Sequence, residues 1–206
     1  MGSRTAIDVR TVRLLGGHPV PDFCNTVEHR LGRGPIELLR TYADLVAWAV
    51  RQSLITPHEG DLLLERAAQR PAEAERVLAG AIALREAVYR ILVIRIHGEA
   101  SSDADIEVLN EAVAGAVEHR RISPMGRAFH WTWSPGPDLA QPVWASALAI
   151  AELMTSPDLR RVKRCPGTGD CGWLFLDTSR NGTRRWCSME GCGSRAKMRR
   201  LRARLH

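Results

Sequence analysis

Four of the five cysteines in this 206-residue chain fall between positions 165 and 192. They form two close pairs, Cys165-x5-Cys171 and Cys187-x4-Cys192, with fifteen residues between the pairs. Two short-spaced sulfur pairs separated by a strand-length insert are what a tetrahedral Zn²⁺ requires. Each pair makes a tight knuckle, and the metal joins the two. Pro166, Gly167 and Gly169 lie in the first loop, and Gly191 and Gly193 flank Cys192, residues suited to turns that need positive φ. Trp173–Asp177 reads as a strand, Asn181-Gly182 as a hairpin turn, and Thr183–Trp186 as a return strand. A helix follows Cys192, which completes a treble-clef-like order. The alternatives are two disulfides or free thiols. A C-x-x-C redox pair is absent. Four thiolates leave no open position on the ion, so one Zn²⁺ is expected, in a structural role.

Charge is the second constraint. Residues 157–206 hold thirteen Lys and Arg against four Asp and Glu, whereas residues 1–156 hold sixteen against nineteen. Nearly all the excess of the +6 chain therefore sits in its last quarter. Most of it is arginine, whose planar fork suits phosphate and the guanine edge. After Cys192, Met198, Leu201 and Leu205 recur as a thin apolar stripe on a helix otherwise covered by Arg195, Lys197, Arg199, Arg200, Arg202 and Arg204. So many cations on three turns repel each other, and an anionic partner relieves that. With Arg184 and Arg185 they form a candidate nucleic-acid surface, with DNA the leading partner and RNA the alternative. Trp173, Phe175 and Trp186 are candidates for base stacking if exposed, although Phe175 is expected to be buried. A solvated basic tail and a helix lying on an anionic membrane are the remaining readings.

The run D-C-G-W-L-F-L-D-T-S-R-N-G-T-R-R-W-C-S-M-E-G-C-G-S-R-A-K resembles the CGNR zinc-finger family, named for a Cys-Gly-Asn-Arg signature. The resemblance is close over about the last forty-five residues. It implies a mostly helical ABATE domain before the finger and a role as a stress-induced transcription regulator. Two departures stand out. Cys192-Gly193-Ser194-Arg195 carries Ser where the signature has Asn, and the first pair is one residue longer than the family's usual spacing. Phe23, Asn25 and Thr26 match a further F-x-N-T element near the family's N-terminus.

The rest of the chain is composed like a globular protein, with 45% hydrophobic and 25% charged residues. No apolar run reaches the ~18 residues of a membrane span, and the start lacks the apolar stretch of a signal peptide. A cytoplasmic protein without membrane association is expected, and a reducing compartment favours zinc over disulfides. Residues 11–15 read as a short strand. Helices are expected over Leu38–Leu54, from Thr56-Pro57 to about Gln69, from Pro71 to about His97, from Ser102-Asp103 to about His119, and from about Leu139 to Met154. Between the last two, Phe129, Trp131 and Trp133 alternate with polar residues, so Arg121–Ser123 and Arg127–Trp133 pair as a hairpin. The expected fold is mainly α with a small β component. A helical N-terminal domain with a β-hairpin (1–156) precedes a treble-clef-like finger with a basic terminal helix (157–206). No flexible linker separates them, so the last helix of the first part should dock the finger.

Asp22, Asn25 and Thr26 have two readings: a turn that caps a helix, or the polar wall of a ligand pocket together with Arg30. Trp131, Trp133 and Trp144 likewise make either core packing or an aromatic wall for a small effector. Cys24, without a nearby partner, reads as a small buried apolar residue. No G-x-S-x-G, Walker A, G-x-G-x-x-G or H-E-x-x-H occurs, and no catalytic residue is assigned. A regulator that binds DNA through its finger, and that senses a small molecule or forms a homodimer through its helical part, is the leading expectation. The rivals are an RNA- or ribosome-binding protein using the same finger and a protein-interaction module with a structural zinc site.

Overall fold

A computed structural model of the chain describes residues 7–167 and 169–204. Leu205, the last member of the apolar stripe, lies outside the described residues. The fold is mainly helical with three small two-stranded sheets. A short α1 (Pro19–Cys24) leads into β1 (Val27–Glu28) and β2 (Ile36–Glu37). Then come α2 (Tyr42–Arg51), α3 (Pro57–Gln69), α4 (Pro71–Ile96) and α5 (Asp103–His119). The ribbon β3 (Arg120–Met125) and β4 (Ala128–Trp133) separates α5 from α6 (Gln141–Thr155).

The helices begin where local chemistry starts them. Thr41 and Thr56 each accept a hydrogen bond from the backbone amide of the third helical residue, and the carboxylates of Asp44 and Glu59 accept one from the cap's own amide, so both helices open with a complete capping box. Ser102 caps α5 in the same way from one side. The β-rich stretch at the end of α4 stays helical because Val88, Ile91 and Leu92 are buried there against the other helices, and packing outweighs strand propensity. Residues 11–15, expected as a strand, are turn and irregular chain instead. Thr11 and Val12 amides bond back to Asp8, and Arg51 spans to the carbonyls of Val9 and Val12, which leaves that backbone no ladder partner.

A 3₁₀ turn, Pro157–Arg161, carries the chain from α6 into β5 (Val162–Arg164), which pairs antiparallel with β6 (Leu174–Leu176). The expected strand is therefore present, but its partner differs. Thr183–Trp186 does not return along it. Instead Asp177, fully buried, gathers Lys163 Nζ at 2.6 Å, the Ser179 amide and hydroxyl, and the Arg184 amide. Those donors wind residues 177–184 into a side-chain-bonded loop rather than a ribbon.

The other edge of β6 is closed by the helical part. The Asn25 side chain donates to the Leu174 carbonyl and accepts from the Leu174 amide, both at 2.8 Å, as a strand neighbour would. The Leu176 amide donates to the Gly16 carbonyl at 2.7 Å. Trp173 Nε1 donates to Val27, and the Tyr89 hydroxyl to the Gly172 carbonyl. Val162, Leu174 and Leu176 belong to the main apolar cluster with Val20, Leu84 and Val88, so one core runs from the helices under the finger. A 3₁₀ turn joins α6 to the finger, whose two strands rest on α1 and α4.

Asn25 is 4% exposed and Leu174 fully buried. Asn25→Ala strands the Leu174 amide and carbonyl without partners, at about 1–3 kcal/mol each. Urea unfolding should show a loss of about 2–6 kcal/mol, with the helical circular dichroism of the native state kept.

Candidate metal centre and basic surface

The two knuckles bring Cys165, Cys171, Cys187 and Cys192 together, all buried, with their sulfurs within 4.8 Å of one another. Cys171 and Cys187 are 3.7 Å apart, and Cys187 and Cys192 3.6 Å. A tetrahedron with Zn–S bonds of ~2.3 Å has sulfurs ~3.8 Å apart, so the donor set fits one Zn²⁺. No disulfide joins any of them. Four sulfurs this close cannot all ionise by themselves. Hydrogen bonds from Cys171 and Cys187 push Cys165 down toward the thiolate, while donating to Cys165 pushes Cys171 up. A divalent cation removes that competition and makes all four thiolates.

Glycine serves the first knuckle by conformation. Gly167 has φ +51°, and a Cβ there would meet the Cys171 Cβ at 2.7 Å. Gly169 is also at positive φ, whereas Gly191 and Gly193 are not, contrary to expectation. The second knuckle is a π turn, Met189–Gly193, whose Gly193 amide reaches back to the Ser188 carbonyl. Gly193 is there for close approach: a Cβ would lie 3.0 Å from the Met189 sulfur. Helix α7 (Ser194–Arg202) starts directly after it. Ser194, in the position of the signature Asn, donates from its hydroxyl to the Met189 carbonyl at 3.0 Å and so ties α7 to the turn.

The eight candidate cations separate by environment. Arg184 is half-buried and committed. It donates to the Leu15, Cys187 and Trp186 carbonyls, and its guanidinium lies 4.3 Å from the Phe175 ring centroid. Arg195 is exposed, yet its Nη2 lies 3.2 Å from the Cys192 sulfur, where it offsets part of the thiolate charge. Arg185, Lys197, Arg199, Arg200, Arg202 and Arg204 are exposed. Ala196 is the one buried residue of α7, and Met198 and Leu201 are about half exposed. The stripe read from the sequence is thus only partly covered. Trp173 and Phe175 are buried, at 5% and 0% exposure.

The candidate ligand residues do not gather round one cavity. Asp22 accepts from the Gly16 amide, Thr26 donates to the Phe23 carbonyl and accepts from Arg85, and Asn25 holds Leu174. Arg30 pairs with Glu86, donates to the Cys24 carbonyl and lies over the Tyr89 ring. Trp131 stands apart on β4, 60% exposed. A cavity of about 470 Å³ opens elsewhere, between residues 7–15 and the knuckles, with Trp173, Glu28, His29, Asp170 and Arg195 in its wall. Sequence reasoning did not single out Asp177 or Lys163. Their types at that spacing carry no signal until β5 and β6 pair.

This is a helical protein with a closed tetrathiolate finger built onto its core, and the site is structural. Residues 17–157 match the ABATE family, described as "Putative stress-induced transcription regulator", and residues 161–205 match the CGNR zinc finger. The chain belongs to the ABATE family and carries one structural zinc site in its CGNR finger. No curated protein matches it. No helix among the described residues is long and apolar enough to cross a membrane.

The four cysteines, Trp173 and Phe175 form their own small apolar cluster, so the ion stands at its centre. Cys192→Ser should therefore abolish stoichiometric zinc in elemental analysis and lose near-ultraviolet dichroism from Trp173, while far-ultraviolet helicity falls little.

Proposed function

We propose that the finger binds duplex DNA through Arg185, Arg195, Lys197, Arg199, Arg200, Arg202 and Arg204, and that the protein regulates transcription by doing so. One observation carries this reading. Helix α7 leaves the metal site at Gly193, rests on the body through Ala196, and carries Lys197, Arg200 and Arg202 exposed on its surface with no acidic residue of its own. The ion fixes the root of the helix, so the guanidinium groups are presented as an array rather than on a loose tail. Arg184, Arg161 and Lys163 stand outside the array, because each is spent on backbone carbonyls or on Asp177. Phosphate contacts by such an array supply affinity, and one or two arginines at a groove edge supply base readout.

Duplex DNA is favoured over single-stranded RNA by the aromatic residues. Recognition of unstacked bases uses exposed rings. Trp173 and Phe175 are buried, and Trp186, next to Cys187, is partly buried against the cysteine cluster. The reading assigns the chain no catalytic step.

Fluorescence anisotropy on a short duplex tests it. With five or six phosphates neutralised, the logarithm of affinity should fall with the logarithm of salt at a slope of about −5. Arg200→Ala/Arg202→Ala should make that slope shallower by about 2 with zinc content unchanged. Salt-insensitive binding, no binding, or preference for single-stranded RNA over duplex would sink the proposal.

A further inference from the structure

The β3–β4 ribbon has an apolar face that the fold does not use. Its register sets Ile122 opposite Trp131 and Pro124 opposite Phe129, with Arg120 opposite Trp133 at the base. Alternation places all six on one face. Arg121, Ser123, His130 and Thr132 lie on the other. A two-stranded ribbon with such alternation is patterned to bury one side.

Only the base of that side is buried. Trp133 packs 5.7 Å from Trp144, which stacks on His119, and Arg120 lies 4.5 Å over Trp133. Farther out the body ends. Ile122 is 62% exposed, Phe129 74% and Trp131 60%. Phe129 and Trp131 are the most exposed aromatic residues among those described, while Phe23, Trp48, Trp144, Trp173 and Phe175 are all buried. Beside the ribbon lies a groove of about 740 Å³, walled by apolar Val50, Leu54, Ile55 and Pro57, by polar Ser53, Thr56, Glu59 and Arg120, and by β4.

We propose that this face is the interface of a homodimer, in which the ribbons of two copies pack face to face about a two-fold axis and each tip fills the partner's groove. Area supports a second copy. Aromatic side chains bury ~150–250 Å² each, so Phe129 and Trp131 leave roughly 200–300 Å² bare per copy. With Ile122, Pro124 and the groove wall, two copies would cover roughly 1,000 Å², near the lower limit for a specific interface. A two-fold contact closes on itself, so each copy's bare face is covered by the same face of the other and none is left over. Charge does not drive the pairing: residues 1–156 carry a net −3, but residues 120–133 hold Arg120, Arg121 and Arg127 and no acidic residue, so burial of the apolar face is what must drive it. The bare face holds aliphatic as well as aromatic side chains, and Arg121 lies on the opposite side of the ribbon.

The pairing is independent of what the finger binds. Sedimentation velocity on the full chain, from low to high micromolar concentration, tests it. The wild type should move reversibly from monomer to dimer. Phe129→Ser/Trp131→Ser should remain monomeric at every concentration, with helical circular dichroism and zinc content unchanged, since both side chains are largely outside the core. A wild-type monomer throughout the range overturns the proposal, and so does a dimer that persists in the double variant. A monomer whose DNA affinity drops in the double variant assigns the face to nucleic acid and overturns the pairing as well.

Discussion

Four sulfurs within 4.8 Å of one another, around one divalent ion, hold the last quarter of this chain together. Outside that contact, the segment has three-residue strands, a largely exposed loop gathered on the buried Asp177, and a helix with a single buried residue. Such elements do not stand alone in water. The ion substitutes for the hydrophobic core that fifty residues cannot build, and Trp173 and Phe175 pack round it as a shell. Placement of α7 follows, because Cys192 is at once a ligand and the last but one residue of the turn that starts the helix.

The finger is nevertheless not a free module. β6 has β5 on one edge and a substitute strand on the other, made from the Asn25 side chain and the Gly16 carbonyl. Arg184 reaches from the finger to the Leu15 carbonyl, and Arg13 pairs with Glu190 across the same seam. The C-cap of α1, Asn25, is thus hydrogen-bonded to β6 close to the ligand Cys171. Mechanical continuity of this kind is the physical means by which a helical part can influence a finger, whatever prompts the change.

Much of this was legible in the residues. Cysteine spacing located the site because sulfur–metal geometry demands short loops. The 3.6-residue period and the Thr56-Pro57 and Ser102 caps located the helices because those signals are local. The alternation of Phe129, Trp131 and Trp133 located the ribbon, but not that its outer face would stay bare. What escaped was long-range. Asn25 looks the same in sequence whether it caps its own helix or completes a strand 149 residues away. Asn181-Gly182 is a hairpin signal, yet the buried carboxylate of Asp177 claims the backbone and side-chain donors around it, and β6 takes the earlier strand. Arg184 and Arg195 are both arginines in a basic run. Only the fold separates the one that staples carbonyls from the one that lies exposed beside the Cys192 sulfur.

Zinc K-edge X-ray absorption with elemental analysis on the purified, reduced protein shows whether one ion shapes the finger. One zinc per chain is expected, with four sulfur neighbours at ~2.3 Å and no nitrogen or oxygen bound to it. A shell containing nitrogen or oxygen, or a protein that keeps its fold and its finger contacts with no metal at all, would contradict it.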